Sequence, residues 1–309
     1  MLDVVGLKKN YAELEAVKGI SFSLGAGDIF GFIGSNGAGK TTTIRMLATL
    51  LEPTDGTALL NGVDIRKDPM QIRRMLGYMP DFFGLYDDVK VSEYLDFFAS
   101  LYEIPARKRM LIINDVLAMT NLTGKKDSFV QSLSRGMQQR LCLARCLVHD
   151  PTLLLLDEPA SGLDPRARAE LKDLILELGN SGKIVIVSSH ILPELADFCN
   201  MVGIIEKGEL LAFGSVDQIV RDHRPTRIIE IKLIESAAEA ARYLSKMPGV
   251  LDAQSTADDE LKLDFNGDLH GQAELVSCLV KNGLKITAFR ELQPDLEDVF
   301  LKLTKGAVN

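Results

Sequence analysis

The most informative part of the sequence is GSNGAGKT, at Gly34–Thr41. It fits the pattern Gly-x-x-x-x-Gly-Lys-Thr and lies between a predicted buried strand, GDIFGFIG, and a helix expected from about Thr41. Backbone N–H groups of such a turn can surround phosphate oxygens, and the helix N-terminus adds partial positive charge. We therefore predict a nucleoside triphosphate site formed by Gly34, Ser35, Asn36, Gly37, Ala38, Gly39, Lys40, Thr41 and Thr42.

Two side chains of this turn have separate predicted roles. Lys40 supplies a full positive charge against the β and γ phosphates, and Thr41 offers a hydroxyl to Mg²⁺. A nucleotide site of this kind also needs an acid at the end of a neighbouring strand, and the apolar run Leu153–Leu156 is followed by Asp157 and Glu158. We expect Asp157 to hold Mg²⁺ through its water shell. Glu158 is placed to polarise the water that attacks the γ-phosphorus.

The order of predicted elements indicates an α/β fold. Short antiparallel strands over residues 2–24 precede the buried strand, and a helical insertion follows at about 82–146. Strand, helix and strand then follow within residues 152–190, an order that implies parallel strands with right-handed crossovers. A hairpin at 203–214 completes a first domain, residues 1–220. The expected fold class is a P-loop NTPase core with an antiparallel β subdomain and a helical insertion.

The remaining residues, 221–309, are predicted to form a small second domain. A polar, proline-ended stretch at Arg221–Pro225 marks the boundary. The segments after it read strand, helix, strand, strand, helix, strand, which is the order of a ferredoxin-like α+β sandwich. A final helix is expected at DLEDVFLKLT, residues 295–304.

Composition excludes several classes of protein. The 309 residues are 46% hydrophobic and 25% charged, as in ordinary globular chains, and no apolar run approaches the roughly 18 to 20 residues of a membrane span. The net charge of −8 argues against nucleic acid as the main partner, because phosphate neutralisation needs a basic face. The four cysteines form no Cys-x-x-Cys pair, so a sulfur-bound metal is not expected. The N-terminus lacks the pattern of a secretion signal, which predicts a cytosolic chain.

Several further motifs occur together in one order. After GSNGAGKT come LSRGM at Leu133–Met137, then LLLLDEP, SGLD at Ser161–Asp164 and SSH at Ser188–His190. Over residues 1 to about 215, the chain thereby resembles the ATP-binding subunit of ABC transporters. This resemblance implies ATP and Mg²⁺ as ligands. It also implies that Tyr11 stacks on the adenine base and that His190 holds the γ-phosphate.

The resemblance gives LSRGM a role in the site of a second subunit. In this family the turn contacts the γ-phosphate bound by the P-loop of another ATP-binding subunit, identical or different, so that two copies close head to tail on two ATP molecules. Ser134 fits as a helix N-cap and phosphate donor, and Gly136 lets the backbone approach. We place Arg135 and Asp164 in the same nucleotide contact.

Three residues depart from the family pattern. Asp81 replaces the glutamine that follows Gly-Tyr-x-Pro, and its shorter side chain would reach Mg²⁺ only through water. Arg135 replaces a glycine and would add charge to the partner's phosphate, whereas Met137 replaces a glutamine and loses a ribose hydrogen bond. These changes leave the hydrolysis rate open. Two alternatives to a transport ATPase are a soluble ABC ATPase and a regulatory nucleotide-binding subunit with little turnover.

The variant Leu-Ser-x-Gly-Met and the closing PDLEDVFLKLT resemble bacterial exporters of the ABC-2 type, in which the ATP-binding and membrane subunits are separate chains. We therefore expect an integral membrane permease as partner, and a peripheral location on the cytoplasmic face of the inner (plasma) membrane. FFGLYDDVKVSEYL, at Phe82–Leu95, is aromatic, acidic and directly follows Asp81. It is a candidate groove for a permease helix. The alternative is a plain helical core.

Overall fold

The computed structural model divides the chain into two compact units, Met1–Val216 and Asp217–Asn309. It describes every residue except Phe83, Leu85, Asp87, 192–194, Ala196, 224–226, Glu235 and 293–309. The final helix predicted at residues 295–304 lies outside the described residues.

The first unit alternates strands and helices. Its strands, in chain order, are β1 (Leu2–Tyr11), β2 (Leu14–Leu24), β3 (Ile29–Ile33), β4 (Asp55–Leu60), β5 (Val63–Asp64), β6 (Leu76–Met79), β7 (Leu153–Asp157), β8 (Ile184–Ser189), β9 (Met201–Glu206) and β10 (Glu209–Ser215). The helices are α1 (Lys40–Leu47), α2 (Pro69–Met75), α3 (Val91–Leu101), α4 (Ala106–Met119), α5 (Arg135–Leu147) and α6 (Pro165–Asn180). Helix α7 (Val216–His223) begins at the last residue of the first unit, and its other residues belong to the second.

A six-stranded sheet forms the centre of the first unit, in the order β10-β9-β3-β8-β7-β6. Neighbours from β9 to β6 pair in parallel, and β10 pairs antiparallel to β9. Every residue of β3, β7 and β8 is buried, as expected for strands covered on both faces. Because these strands are parallel, the residues that follow them meet at one edge of the sheet.

A second, antiparallel sheet has the order β2-β1-β4-β5 and shares a hydrophobic core with the first. Phe22 of β2 stacks on Phe30 of β3 with ring centroids 5.0 Å apart, and Phe30 stacks on Phe32 at 5.6 Å. Each such buried side chain stabilises the fold by about 1.5–3 kcal/mol. The β9–β10 turn also joins the sheets, because Gly208 accepts from Lys18 N and donates to the Ala38 carbonyl, both at 2.9 Å.

The predicted helical insertion consists of α3, α4 and α5, which lie between β6 and β7 in the chain. Arg145 of α5 holds this part to the sheet. Its guanidinium donates to the Tyr94 hydroxyl and the Tyr78 carbonyl, both at 3.4 Å, and lies 5.2 Å from the centre of the Phe98 ring. The half-buried Arg145 therefore joins α3 and α5 to β6.

The second unit contains β11 (Arg227–Leu233), α8 (Ala237–Leu244), β12 (Val250–Ser255), β13 (Glu260–Phe265), α9 (Leu269–Lys281) and β14 (Ile286–Leu292). All neighbouring strands are antiparallel in the order β12-β13-β11-β14. Ile229, Ile231 and Leu263 on one sheet face share a core with Leu244 of α8 and Leu279 of α9. This is the ferredoxin-like sandwich that the sequence predicts.

Candidate functional site

The turn between β3 and α1 needs glycine at several positions. A Cβ at Gly34 would lie 2.3 Å from the Ile205 carbonyl oxygen, and one at Gly39 would lie 2.7 Å from the Ala16 carbonyl oxygen. Gly39 also has φ of 113°, in the left-handed region that favours glycine. It precedes α1 and has no side chain to cap the helix. The N–H groups of the first helical turn are therefore available to an anion.

Lys40 is the cation of this turn and is only 6% exposed. Its Nζ donates to the carbonyl oxygens of Gly34 at 2.6 Å and Ser35 at 3.2 Å, and lies 3.8 Å from a carboxylate oxygen of Glu158. Burial lowers the pKa of Lys40, and the carboxylates of Glu158, Asp157 and Glu206 act in the opposite direction. The ammonium group is thereby held inside the phosphate-binding turn.

Oxygen donors meet beside Lys40, where β3 and β7 end. Asp157 is 1% exposed, and its Oδ1 accepts from Thr41 Oγ1 at 3.2 Å and from Ser188 Oγ at 2.6 Å. Among the described residues, no group of three or more His, Cys, Asp or Glu side chains could hold a metal by itself. Hydroxyl and carboxylate oxygens nevertheless suit Mg²⁺, which commonly takes one or two protein ligands together with phosphate oxygens and water. Thr41 and Asp157 fit that requirement.

Glu158 lies one residue beyond Asp157 and has a strained backbone. Its φ of 49° falls in a region that non-glycine residues rarely adopt, at a cost of about 1–3 kcal/mol. Its N–H donates to Ser188 Oγ at 3.0 Å, and one carboxylate oxygen lies 2.9 Å from His190 Nδ1. The carboxylate is thus held between His190 and Lys40, at the same edge of the sheet as the phosphate-binding turn.

Most of the predicted nucleotide-binding residues of this subunit line one cleft of about 430 Å³, whereas Gly34, Ala38 and Asp157 are not among its described lining residues. Tyr11 lies at this cleft and is 43% exposed, so its ring is available for stacking instead of being buried in the core. Lys9 Nζ lies 5.4 Å from the centre of that ring. The predicted residues that line the cleft are Tyr11, Ser35, Asn36, Gly37, Gly39, Lys40, Thr41, Thr42, Asp81, Glu158 and His190.

The residues predicted to act on a second subunit lie elsewhere. Ser134, Arg135, Gly136 and Asp164 are not among the described lining residues of the cleft. Ser134 Oγ caps α5 by accepting from Met137 N at 3.4 Å, and Asp164 caps α6 by accepting from Ala167 N at 2.9 Å. Because both Ser134 and Asp164 are exposed at helix N-termini, they are accessible to another molecule.

Sequence reasoning missed two side chains at the site. Ser188 contacts both Asp157 and Glu158, and its place in the SSH motif was the available signal. Glu206 accepts from Ser35 Oγ at 3.0 Å. No sequence pattern pointed to Glu206, since it meets the turn only because β9 lies beside β3 in the sheet.

Comparison with known proteins gives one family. The family model described as "ABC transporter" matches residues 17–161. The uncharacterized ABC transporter ATP-binding protein YxlF of Bacillus subtilis (strain 168) is 34% identical over 306 residues, which cover 98% of this chain and 99% of that protein. The Nod factor export ATP-binding protein I of Ralstonia nicotianae is also 34% identical, covering 98% and 94%.

Solved structures agree with these relatives. One described as the ATP binding subunit of an ABC transporter is 30% identical, with a TM-score of 0.66 over 72% of this chain and 92% of that one. The sequence motifs, the parallel sheet and the phosphate-binding cleft are therefore consistent with the family to which these relatives belong. The chain belongs to the family of ABC transporter ATP-binding proteins and is an ATPase.

Proposed function

We propose that the chain hydrolyses ATP in order to drive export through a separate membrane permease, and that two ATP-binding subunits close around two Mg·ATP. The observation that carries this proposal is the convergence of Lys40, Glu158 and His190 on one cleft, with the buried Asp157 bonded to Thr41 beside it. The name of the Nod factor export relative supports export as the direction of transport.

Binding of ATP uses the turn before α1. Backbone N–H groups of residues 37–42 and the ammonium of Lys40 take the phosphates, and Tyr11 stacks on the base. Thr41 and Asp157 are the residues that would hold Mg²⁺, whose charge would neutralise phosphate oxygens during transfer. Asp81 also lines the cleft, and its carboxylate is placed to reach the metal through water.

Hydrolysis is assigned to Glu158. A carboxylate held by Lys40 and His190 can accept a hydrogen bond from the attacking water and orient it toward the γ-phosphorus. His190 has two tasks in this proposal, since its Nδ1 fixes Glu158 while its other nitrogen would face the γ-phosphate. The strained backbone of Glu158 supports the assignment, because such strain is concentrated at functional positions.

Closure is assigned to the turn Leu133–Met137. The N-terminus of α5, with Ser134 and Gly136, would meet the γ-phosphate held by the partner. Changing an open-to-closed ratio from 99:1 to 1:99 takes about 5.5 kcal/mol of differential binding. Two nucleotides, each gaining one or two charge-assisted hydrogen bonds of about 1.5–3 kcal/mol, can supply it. Loss of the γ-phosphate then reopens the dimer, which couples hydrolysis to movement.

The membrane partner is assigned to the exposed aromatic side of the helical insertion. Phe82 is 92% exposed and Tyr86 59%, and the Tyr86 ring contacts that of Phe97 at 6.0 Å. Tyr94 and Leu95 of the same segment are buried, so Phe82–Leu95 is part core and part surface. No helix in the described part of the chain is long and apolar enough to cross a membrane. As a subunit of a transporter, the chain would attach to the cytoplasmic face of the plasma membrane through the permease.

Sedimentation of the Glu158→Gln variant tests this function. In saturating Mg·ATP we expect a dimer, and with Mg·ADP we expect a monomer. A chain that stays monomeric with ATP, alone and beside each companion ATP-binding subunit, would contradict the proposal. Recovery of the tagged wild-type chain with a permease in the membrane fraction separates a transporter subunit from a soluble ABC ATPase.

The second candidate is a nucleotide sensor with little turnover, which Asp81 and Met137 favour. The arrangement of Glu158 and His190 favours turnover instead, because both groups are directed to the cleft. Phosphate release by the wild-type chain at a rate well above that of Glu158→Gln would exclude the sensor.

A further inference from the structure

The first residue of α5 reaches across to the loop that follows β7. Arg135 donates from Nη2 to the Ser161 carbonyl oxygen at 3.2 Å. A Cβ added at Gly162 would lie 2.4 Å from the guanidinium carbon of Arg135, so the guanidinium lies directly against that glycine. The charge of Arg135 is therefore directed to its own subunit.

A second side chain of α5 contacts the same loop. Gln139 lies four residues after Arg135, on the same helical face, and is only 4% exposed. Its Nε2 donates to the Pro159 carbonyl oxygen at 2.8 Å and to the Ser161 carbonyl oxygen at 3.3 Å. One carbonyl group, that of Ser161, thus accepts from both Arg135 and Gln139.

The backbones are also close at this junction. A Cβ at Gly136 would lie 3.2 Å from Ala167 Cβ and 3.5 Å from Leu163 Cδ2. The turn that presents Ser134 and the loop that presents Asp164 are therefore packed together, with Arg135 bridging their exposed side. Ser134 and Asp164 are both residues that we expect to contact the nucleotide of the partner subunit.

We propose that Arg135 is a positioning residue that fastens the turn Leu133–Met137 to the loop Pro159–Asp164 of its own subunit, so that both arrive at the partner's nucleotide as one unit. This inference rests on the proposed dimer. Groups held in place before association lose less conformational freedom when the dimer forms, which makes closure more favourable. Arg135 acts here through Ser134 and Asp164 and not through direct contact with the phosphate.

The test uses the full chain in the Glu158→Gln background with saturating Mg·ATP. Arg135→Ala is expected to raise the dimer dissociation constant about 10-fold or more, the size of effect expected from loosening two loops at each interface. The nucleotide affinity of the single subunit and its thermal midpoint are expected to change little, because neither depends on closure. Arg135→Lys, which keeps the charge and an N–H donor group but lacks the planar guanidinium, is expected to restore part of the affinity between subunits.

A matched control and a second substitution complete the experiment. Arg166 of α6 is 90% exposed and pairs with Glu170 of its own helix, so Arg166→Ala is expected to leave dimer affinity unchanged. Gly162→Ala removes the space for the Arg135 guanidinium and also strains a backbone with φ of 69°. Because that strain acts in either background, only the contact is lost in common, and Gly162→Ala is expected to weaken the dimer less when Arg135→Ala is already present.

The outcomes separate two failures. If the Glu158→Gln parent forms dimers and Arg135→Ala forms them equally well, the role of Arg135 is wrong and the proposed function stands. If Arg135→Ala and Gly162→Ala weaken the dimer additively, the contact between them is not the cause and the inference is again overturned. A parent that never forms a dimer removes the proposed function together with the inference.

Discussion

Glu158 and His190 are joined by a hydrogen bond of 2.9 Å between a carboxylate oxygen and Nδ1. The other carboxylate oxygen lies 3.8 Å from Lys40 Nζ. The carboxylate thus has a fixed orientation between two basic side chains, at the edge of the sheet that also carries the phosphate-binding turn. Because of this geometry, substitutions of Glu158 and His190 are expected to lower turnover in an interdependent way.

Glu158→Gln is expected to lower kcat by about 100-fold to 10,000-fold, since it removes the group that orients and deprotonates water. ATP affinity is expected to remain, because binding rests on the turn at Gly34–Thr41. If His190 acts through Glu158, adding His190→Ala to Glu158→Gln costs less than it does in the wild type. Phosphate release and nucleotide titration measure both quantities.

Glu103→Gln is the matched control, because Glu103 is exposed and pairs with Arg74 in another part of the first unit. It is expected to turn over at the wild-type rate. Equal rates for wild type and Glu158→Gln would show that Glu158 is not the catalytic residue.

ATP affinity is expected to fall as pH rises, and to do so at a lower pH than it would if Lys40 had the pKa of an exposed lysine. Burial lowers the pKa of Lys40 below 10.5 in the free chain, whereas bound phosphates would raise it. At pH values between the Lys40 pKa of the free chain and that of the ATP-bound chain, binding takes up a proton. ATP affinity is therefore lost as pH rises through the free-chain pKa. Titrations at increasing pH below 10.5 should show this slope for the wild type and a flatter line for Lys40→Arg, whose guanidinium stays charged.

Much of this site follows from sequence because its parts are local. The glycine spacing of Gly34–Thr41 is compatible with few backbone conformations, and the phosphate-binding turn is one of them. Asp157 and Glu158 are adjacent in the chain, so they are recognised together. A run of four buried leucines before them identifies β7. Parallel pairing then places both elements at one edge of the sheet.

The rest depends on distant contacts that no local pattern encodes. Glu206 meets Ser35 only through the pairing of β9 with β3. Arg135 was expected to face a partner's phosphate, yet its guanidinium lies on Ser161 and Gly162, which are more than twenty residues away in sequence. Side-chain direction at a helix terminus is decided by the neighbouring loop, and sequence spacing does not specify that loop's path.

Tyr11→Ala is expected to weaken ATP binding by about 1 kcal/mol or more, about 5-fold or more in Kd, through loss of stacking on the base. Tyr11→Phe keeps the ring and should bind like the wild type. Because Tyr11 is 43% exposed, neither change is expected to lower the thermal midpoint appreciably. A Tyr11→Ala variant with wild-type affinity and lowered stability would instead assign the ring to packing.

Charge reversal at Asp87 and Asp88 is expected to uncouple ATPase activity from the permease while leaving basal turnover. Asp87 lies outside the described residues, and Asp88 accepts a hydrogen bond from Gln131 at 3.5 Å. Asp115→Lys, on the exposed side of α4, is the matched control. ATPase rates with and without the reconstituted permease measure coupling. Unchanged stimulation in the double variant would place the permease groove elsewhere.

His149 is expected to limit stability in acid. Its ring stacks on Tyr102 with centroids 3.7 Å apart, and Nε2 lies 2.9 Å from the Leu76 carbonyl oxygen, which fixes Nε2 as the protonated nitrogen. Nδ1 is buried without a hydrogen-bond partner among the described residues. Burial lowers the pKa of His149 below 6.5, with the Leu76 carbonyl acting in the opposite direction.

A proton is therefore bound more readily in the unfolded chain than in the folded one, so that His149 lowers the free energy of unfolding as pH falls from 6.5 through the folded-state pKa. His149→Phe keeps a ring against Tyr102 but cannot titrate. Urea unfolding between about pH 5 and 7 should show a smaller loss of stability for His149→Phe than for the wild type. Since Phe cannot donate to Leu76, the variant is expected to be less stable at pH 7, and only the difference in slope reports the proton. If the free energy of unfolding changes with pH equally in the two chains, His149 does not cause the loss of stability in acid.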